Sequence, residues 1–125
     1  LKERNGAIYP RYGIADWLRM AKQLMVLGNN GRIVFDYDMR IAEPFADAGT
    51  DLAPDLWPAL RALAGRPVLV VRGATSDILS AATLARMQAE VPGLKSVTLP
   101  GIGHAPTLAE PAALAAVKAL VESVS

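Results

Sequence analysis

Residues 66–73 read RPVLVVRG, an apolar run that follows a proline and is closed by a glycine. A short run without polar alternation is typical of a strand buried on both faces, as in a parallel sheet. After it, the pattern predicts a helix over residues 80–91, a second strand over 95–99 and a last helix over 111–124. The order strand, helix, strand, helix predicts an α/β fold with two parallel strands and a right-handed crossover.

The half of the chain before this unit predicts shorter elements. Apolar residues at helical spacing predict an amphipathic helix over residues 14–27, ended by a stretch rich in glycine and asparagine. A short extended segment over 33–37 and a short helix over 41–48 are expected next. Residues 55–64 predict another helix, with Leu56, Leu60 and Leu63 on one face and Gly65 as its stop.

Length and composition exclude several classes of protein. The 125 residues, of which 52% are hydrophobic, suffice for one packed domain, and the net charge of +1 argues against nucleic-acid binding. Neither a membrane-spanning apolar run nor a signal segment is visible, and the absence of cysteine excludes disulfides and thiolate metal sites. We therefore expect a cytoplasmic protein without metal or organic cofactor. Two strands cannot form a stable open parallel sheet alone, so we also expect a fragment, the end of a larger sheet.

Two loops of the predicted α/β unit hold side chains suited to catalysis. Asp77 lies in the loop after the first strand, and His104, the one histidine of the chain, comes 27 residues later in the loop after the second strand. Because parallel strands bring their carboxyl ends to the same edge of a sheet, the two side chains can meet. A carboxylate beside an imidazole fixes its tautomer and stabilises its protonated form. The alternative is a turn histidine and an aspartate before a helix, with no mutual contact.

The runs RPVLVVRG (residues 66–73), Ser76-Asp77 and GIGHAP (residues 101–106) resemble the C-terminal part of α/β-hydrolases. The resemblance implies that Asp77 is the acid and His104 the base of a catalytic triad. It also implies a division into a mostly helical cap or lid region at 1–65 and a C-terminal core at 66–125.

The sequence departs from this family at the nucleophile. No Gly-x-Ser-x-Gly pattern occurs, and none of the five serines follows a strand into a glycine-flanked turn. We therefore expect the nucleophile, Ser or Asp, to come from the N-terminal part of the same hydrolase or from another copy of the chain, and the chain alone to be inactive. The implied substrate is a small, apolar, ester-like molecule, although C–C, epoxide and halide substrates stay open. Trp57 and Ile102 are the candidate substrate-binding residues.

Two other functions compete with a hydrolase. A non-catalytic fragment could pair its exposed strand edge with another chain, because an unpaired edge is a template for association. A small nucleotide-binding α/β domain is disfavoured, since no glycine-rich turn with phosphate-binding spacing joins a strand to a helix.

Overall fold

The computed structural model describes residues 1–43 and 54–124. In chain order, its helices and strands are α1 (Lys2–Asn5), α2 (Ile14–Leu24), β1 (Met25–Leu27), β2 (Ile33–Phe35), a 3₁₀ turn (Met39–Ala42), α3 (Trp57–Arg61), β3 (Leu69–Gly73), α4 (Ala81–Glu90), β4 (Lys95–Leu99) and α5 (Pro111–Glu122). The predicted helix over 41–48 falls mostly outside the described residues.

The described residues form two compact units. The first comprises Leu1–Lys2 with Tyr12–Pro54, and the second comprises Glu3–Arg11 with Asp55–Ser125. Residues near the start of the chain thus belong to the same unit as the α/β half. The predicted division into a cap or lid region at 1–65 and a C-terminal core at 66–125 is a functional one, and it stays a prediction.

The first unit contains a helix followed by a β-hairpin, where one longer helix was predicted. Helix α2 ends at Leu24, and β1 then pairs antiparallel with β2, with Met25 opposite Phe35. The prediction of a helix over 14–27 is wrong in its last turn, because the glycine-rich stretch closes a hairpin instead of ending a helix. Gly28 donates its backbone N–H to the Arg32 carbonyl at 2.7 Å across this loop.

The second unit contains the predicted α/β core. Strands β3 and β4 are parallel and in register from Leu69 opposite Lys95 to Gly73 opposite Leu99, and α4 connects them. Ser80 is the N-cap of α4, because its side-chain oxygen accepts the backbone N–H of Thr83 at 2.9 Å. The predicted order of strand, helix, strand and helix is confirmed.

Apolar side chains from helices, strands and loops fill the core of this unit. Those that are at least nine-tenths buried are Tyr9, Leu84, Val91, Leu94, Leu99, Ile102 and Ala113. The helix predicted over residues 55–64 is shorter in the structure, Trp57–Arg61, and two of the leucines predicted on its face are exposed, Leu56 to 67% and Leu63 to 39%. None of the helices in the described ranges is long and apolar enough to cross a membrane.

Candidate active site

The loop that carries Asp77 is held at both ends by one buried cation. We call residues 74–80, between β3 and α4, the acid loop. Arg72, only 8% exposed, donates from Nε to the Leu79 carbonyl at 2.7 Å and from Nη2 to the Ala74 carbonyl at 3.1 Å. Between these two carbonyl groups, the Ser76 Oγ accepts a hydrogen bond from the Leu79 N–H at 2.9 Å. These bonds fix the turn while the Asp77 side chain stays exposed to solvent.

The loop that carries His104 is anchored on both sides of that residue. We call residues 100–106, after β4, the histidine loop. Gly101 adopts a left-handed backbone conformation (φ 71°), which favours glycine, and the Ile102 side chain is 6% exposed. Gly103 donates its N–H to the Ile8 carbonyl at 2.9 Å. His104 itself is exposed.

The two loops are bonded directly to each other. The Ala74 N–H donates to the Leu99 carbonyl at 2.9 Å, at the ends of the two strands. Thr75 donates both its N–H and its hydroxyl to the Ile102 carbonyl, at 3.0 and 2.9 Å. The contact is tight at Gly73, where a Cβ would overlap backbone atoms of the histidine loop. The topology therefore brings the acid loop and the histidine loop to one edge of the sheet.

Asp77 and His104 each lie a few residues beyond the end of their strand. Asp77 is four residues after Gly73, and His104 is five residues after Leu99, the residue paired with Gly73. Both side chains are exposed, and within residues 1–43 and 54–124 no hydrogen bond joins them. The structure brings their loops together, and their roles as acid and base stay a prediction.

The two candidate substrate-binding residues lie in different surroundings. The Trp57 ring is half-buried, and the Arg86 guanidinium of α4 lies 3.7 Å from its centroid, a cation–π contact. The Glu90 carboxylate accepts hydrogen bonds from Arg86 and, at 2.6 Å, from Arg61. These two bonds lower the pKa of Glu90, and the bond from Arg61 has the larger effect. Ile102 contributes its carbonyl to the bond with the acid loop and its side chain to the core. Substrate contact by Trp57 or Ile102 stays a prediction.

Three residues support this edge, and the sequence alone decided the role of none of them. Arg72 was visible as a lone charge in an apolar strand, a signal for a buried, bonded side chain. Thr75 and Tyr9 gave no such signal; Tyr9 is 8% exposed, and its hydroxyl donates to the Ala105 carbonyl at 2.5 Å from 96 residues away in sequence. Across the described parts of the chain, no cluster of three or more histidine and acidic side chains could hold a metal.

Known hydrolases resemble this chain in structure and in sequence. A crystal structure of an α/β hydrolase from Novosphingobium aromaticivorans matches 98% of the chain with a TM-score of 0.87 and 57% identity. The crystal structure of E-2-(acetamidomethylene)succinate hydrolase matches 97% of it with a TM-score of 0.62 and 26% identity. A 3-hydroxybutyrate-oligomer hydrolase from Cupriavidus necator is 45% identical over 85 residues, 63% of the chain. No protein-family model matches the sequence.

The chain is shorter than all three of these proteins. It spans 43% and 42% of the two solved hydrolases and 28% of the oligomer hydrolase. Its parallel strands, connecting helix and sequence agree with the C-terminal part of the α/β-hydrolase fold, as the sequence predicted. The architecture of the chain is therefore that of the α/β-hydrolase fold.

Proposed function

We propose that this chain supplies the acid, Asp77, and the base, His104, of a hydrolase that uses a nucleophile–acid–histidine triad. The observation that carries the proposal is the pair of hydrogen bonds from Thr75 to the Ile102 carbonyl. They join the acid loop to the histidine loop beyond the ends of two parallel strands. On this proposal the two exposed side chains turn toward each other, so that the carboxylate meets the imidazole.

In this mechanism the histidine moves protons and the aspartate orients it. His104 takes the proton of the nucleophile's hydroxyl as that oxygen attacks the ester carbonyl carbon. The same proton then passes to the departing alcohol, and a water activated by His104 releases the acid in the second half-reaction. Asp77 accepts a hydrogen bond from the other ring nitrogen and stabilises the imidazolium. With an Asp nucleophile, His104 still acts as the base for water.

The nucleophile is proposed to lie outside these 125 residues. Ser76 and Ser80 are the serines nearest to Asp77 in sequence. Each side-chain oxygen accepts a hydrogen bond from a backbone N–H three residues later in the chain. We propose that the N-terminal part of the same hydrolase, or another copy of the chain, supplies the nucleophile and the oxyanion hole. On this proposal the isolated chain is inactive, and residues 1–65 are the remnant of a cap or lid region.

An ester is the substrate class that we propose. The sequence relative from C. necator is named for hydrolysis of 3-hydroxybutyrate oligomers, and it is 45% identical over 85 residues. A short-chain apolar ester and a 3-hydroxybutyrate dimer are therefore the first two substrates to compare, with Trp57 and Ile102 as candidate contacts. No nucleic acid, membrane or cofactor enters the proposal.

The decisive experiment is the His104→Ala substitution in the complete natural polypeptide that contains these residues. We expect it to lower hydrolysis of p-nitrophenyl butyrate by more than about 1,000-fold, because loss of a triad histidine removes the general base. Lys118→Ala, at an exposed position of α5, is the matched control and should leave the rate unchanged. Undiminished turnover by folded His104→Ala protein contradicts the proposal.

A structural role is the second candidate function, and one observation favours it. Within the described residues, β3 and β4 form a sheet of only two strands, whose outer edges are open to pairing. A fragment that acts only through this edge would associate with another chain whether or not residue 104 is histidine. Light scattering on the unsubstituted chain and on its His104→Ala variant, together with the ester assay, distinguishes the two functions.

A further inference from the structure

A segment near the start of the chain lies over the histidine loop. Gly103 donates its N–H to the Ile8 carbonyl at 2.9 Å, and a Cβ at Gly103 would lie 2.9 Å from the Ile8 Cγ2. The Tyr9 hydroxyl donates to the Ala105 carbonyl at 2.5 Å. Arg11 also lies beside this loop, since its Nε would be 3.4 Å from a Cβ at Gly101. Residues 8–11 therefore contact the loop on both sides of His104.

We propose that Tyr9 is a positioning residue for His104, an inference that rests on the proposed role of His104 as the base. Tyr9 is 8% exposed, and its hydroxyl bond to the Ala105 carbonyl is partly buried. This bond holds the carbonyl of Ala105, the residue directly after His104. Thr75 holds the Ile102 carbonyl two residues before it.

The arrangement fixes the backbone of residue 104 and leaves its side chain accessible. Hydrogen bonds reach residues 102, 103 and 105, whereas the imidazole itself is exposed. A base must move protons and must also be held at the correct distance from its acid and its nucleophile. Of the two anchors from the segment over residues 8–11, only the Tyr9 hydroxyl belongs to a side chain and can be deleted by substitution.

Tyr9→Phe in the complete polypeptide removes one oxygen and keeps the buried ring. We expect kcat for p-nitrophenyl butyrate to fall by about 10- to 100-fold, because a displacement near 1 Å at a reacting group costs about 100-fold, while KM stays within about twofold. A fall in kcat with an unchanged KM is the result that a misplaced base predicts. Tyr37→Phe, at a half-exposed tyrosine of the first unit, is the control and should change neither.

A second pair of variants tests the same contact through its packing. Gly103→Ala places a methyl group against Ile8 and should lower kcat, because the loop and the segment are forced apart. Adding Ile8→Ala removes the nearest atom, Cγ2, and should restore part of the lost activity. Rescue of this kind is not expected if the segment only covers the surface.

The outcomes separate this inference from the proposed function. An inactive His104→Ala protein together with an unchanged Tyr9→Phe protein overturns the positioning role and leaves the triad assignment standing. A Tyr9→Phe protein that melts earlier, and whose lower rate is fully accounted for by a smaller folded fraction, also overturns it, because the residue then acts on stability alone. Full activity of His104→Ala overturns both.

Discussion

Arg72→Met should loosen the acid loop more than any other single change at this edge of the sheet. The guanidinium donates to the carbonyls of Leu79 and Ala74 and so joins the end of β3 to both ends of the turn that carries Asp77. Methionine keeps an unbranched apolar stem in the buried site but has no donor. The substitution therefore removes the two hydrogen bonds and retains most of the packing.

The size of the effect follows from the two bonds. Hydrogen bonds to a charged group contribute about 1.5–3 kcal/mol each, which gives an upper bound of about 3–6 kcal/mol. Ala74 is exposed and its carbonyl can turn to water, whereas Leu79 is half-buried and loses more. Removing a buried charge also recovers part of its desolvation cost. We therefore expect the free energy of unfolding to fall by about 2–4 kcal/mol.

Urea unfolding of the complete polypeptide measures this loss, and the ester assay measures its effect on Asp77. Arg66→Met is the matched control, because Arg66 is exposed six residues earlier; surface changes of this kind stay within about 0.5 kcal/mol. We expect kcat/KM to fall at least about tenfold in Arg72→Met, since a displaced acid orients His104 poorly. If Arg72→Met is as stable and as active as Arg66→Met, the guanidinium does not hold the loop.

Two further substitutions test the packing of the loops and the charges on α4. Gly73→Ala should destabilise the protein by about 1–3 kcal/mol and lower the ester rate by about 100-fold, because its Cβ would lie 2.9 Å from a carbonyl carbon of the histidine loop. Gly13→Ala, whose Cβ meets nothing closer than 3.8 Å, is the control for urea unfolding, and equal results for the two contradict the close contact. Arg61 and Arg86 lower the pKa of Glu90 below its usual 4.5. The ionised carboxylate therefore stabilises the fold at pH values above 4.5. This stabilisation is lost as the pH falls through the lowered pKa. Glu90→Gln should lack this part of the acid-induced loss in urea midpoints measured from neutral to acid pH, and identical pH curves would contradict it.

The sequence predicted the α/β half well because its local signals agree with its tertiary contacts. The apolar run over 66–73, the cap at Ser80 and the second strand over 95–99 all favour the same elements, and the structure has β3, α4 and β4 in this order. Agreement among local signals is what makes a segment predictable. At residues 25–27 the signals conflict, since three successive apolar residues suit the end of a helix and a hairpin strand equally. Pairing with Ile33–Phe35 decides for the strand.

The sequence predicted which two loops meet at the candidate site, but it did not predict the side chains that hold those loops. Parallel strands imply that the loops of Asp77 and His104 lie at one edge, and the Thr75 bonds place the loops there. The contact of Tyr9 with Ala105 joins residues 96 positions apart, and no periodicity or spacing in one sequence encodes such a distant pair. A buried tyrosine hydroxyl needs a partner, but the sequence does not say which carbonyl it will find.

The apolar faces of two helices are in part exposed in the described structure. Leu56 and Leu63 near α3 and Leu114 and Val121 on α5 are between 39% and 67% exposed. Such faces are expected to be buried in a complete α/β sheet, where helices cover strands on both sides. The chain matches only 43% of the solved N. aromaticivorans hydrolase, so most of a sheet of that size lies outside the matched region. In the described part of the chain, a sheet of two parallel strands is too small to cover these helical faces.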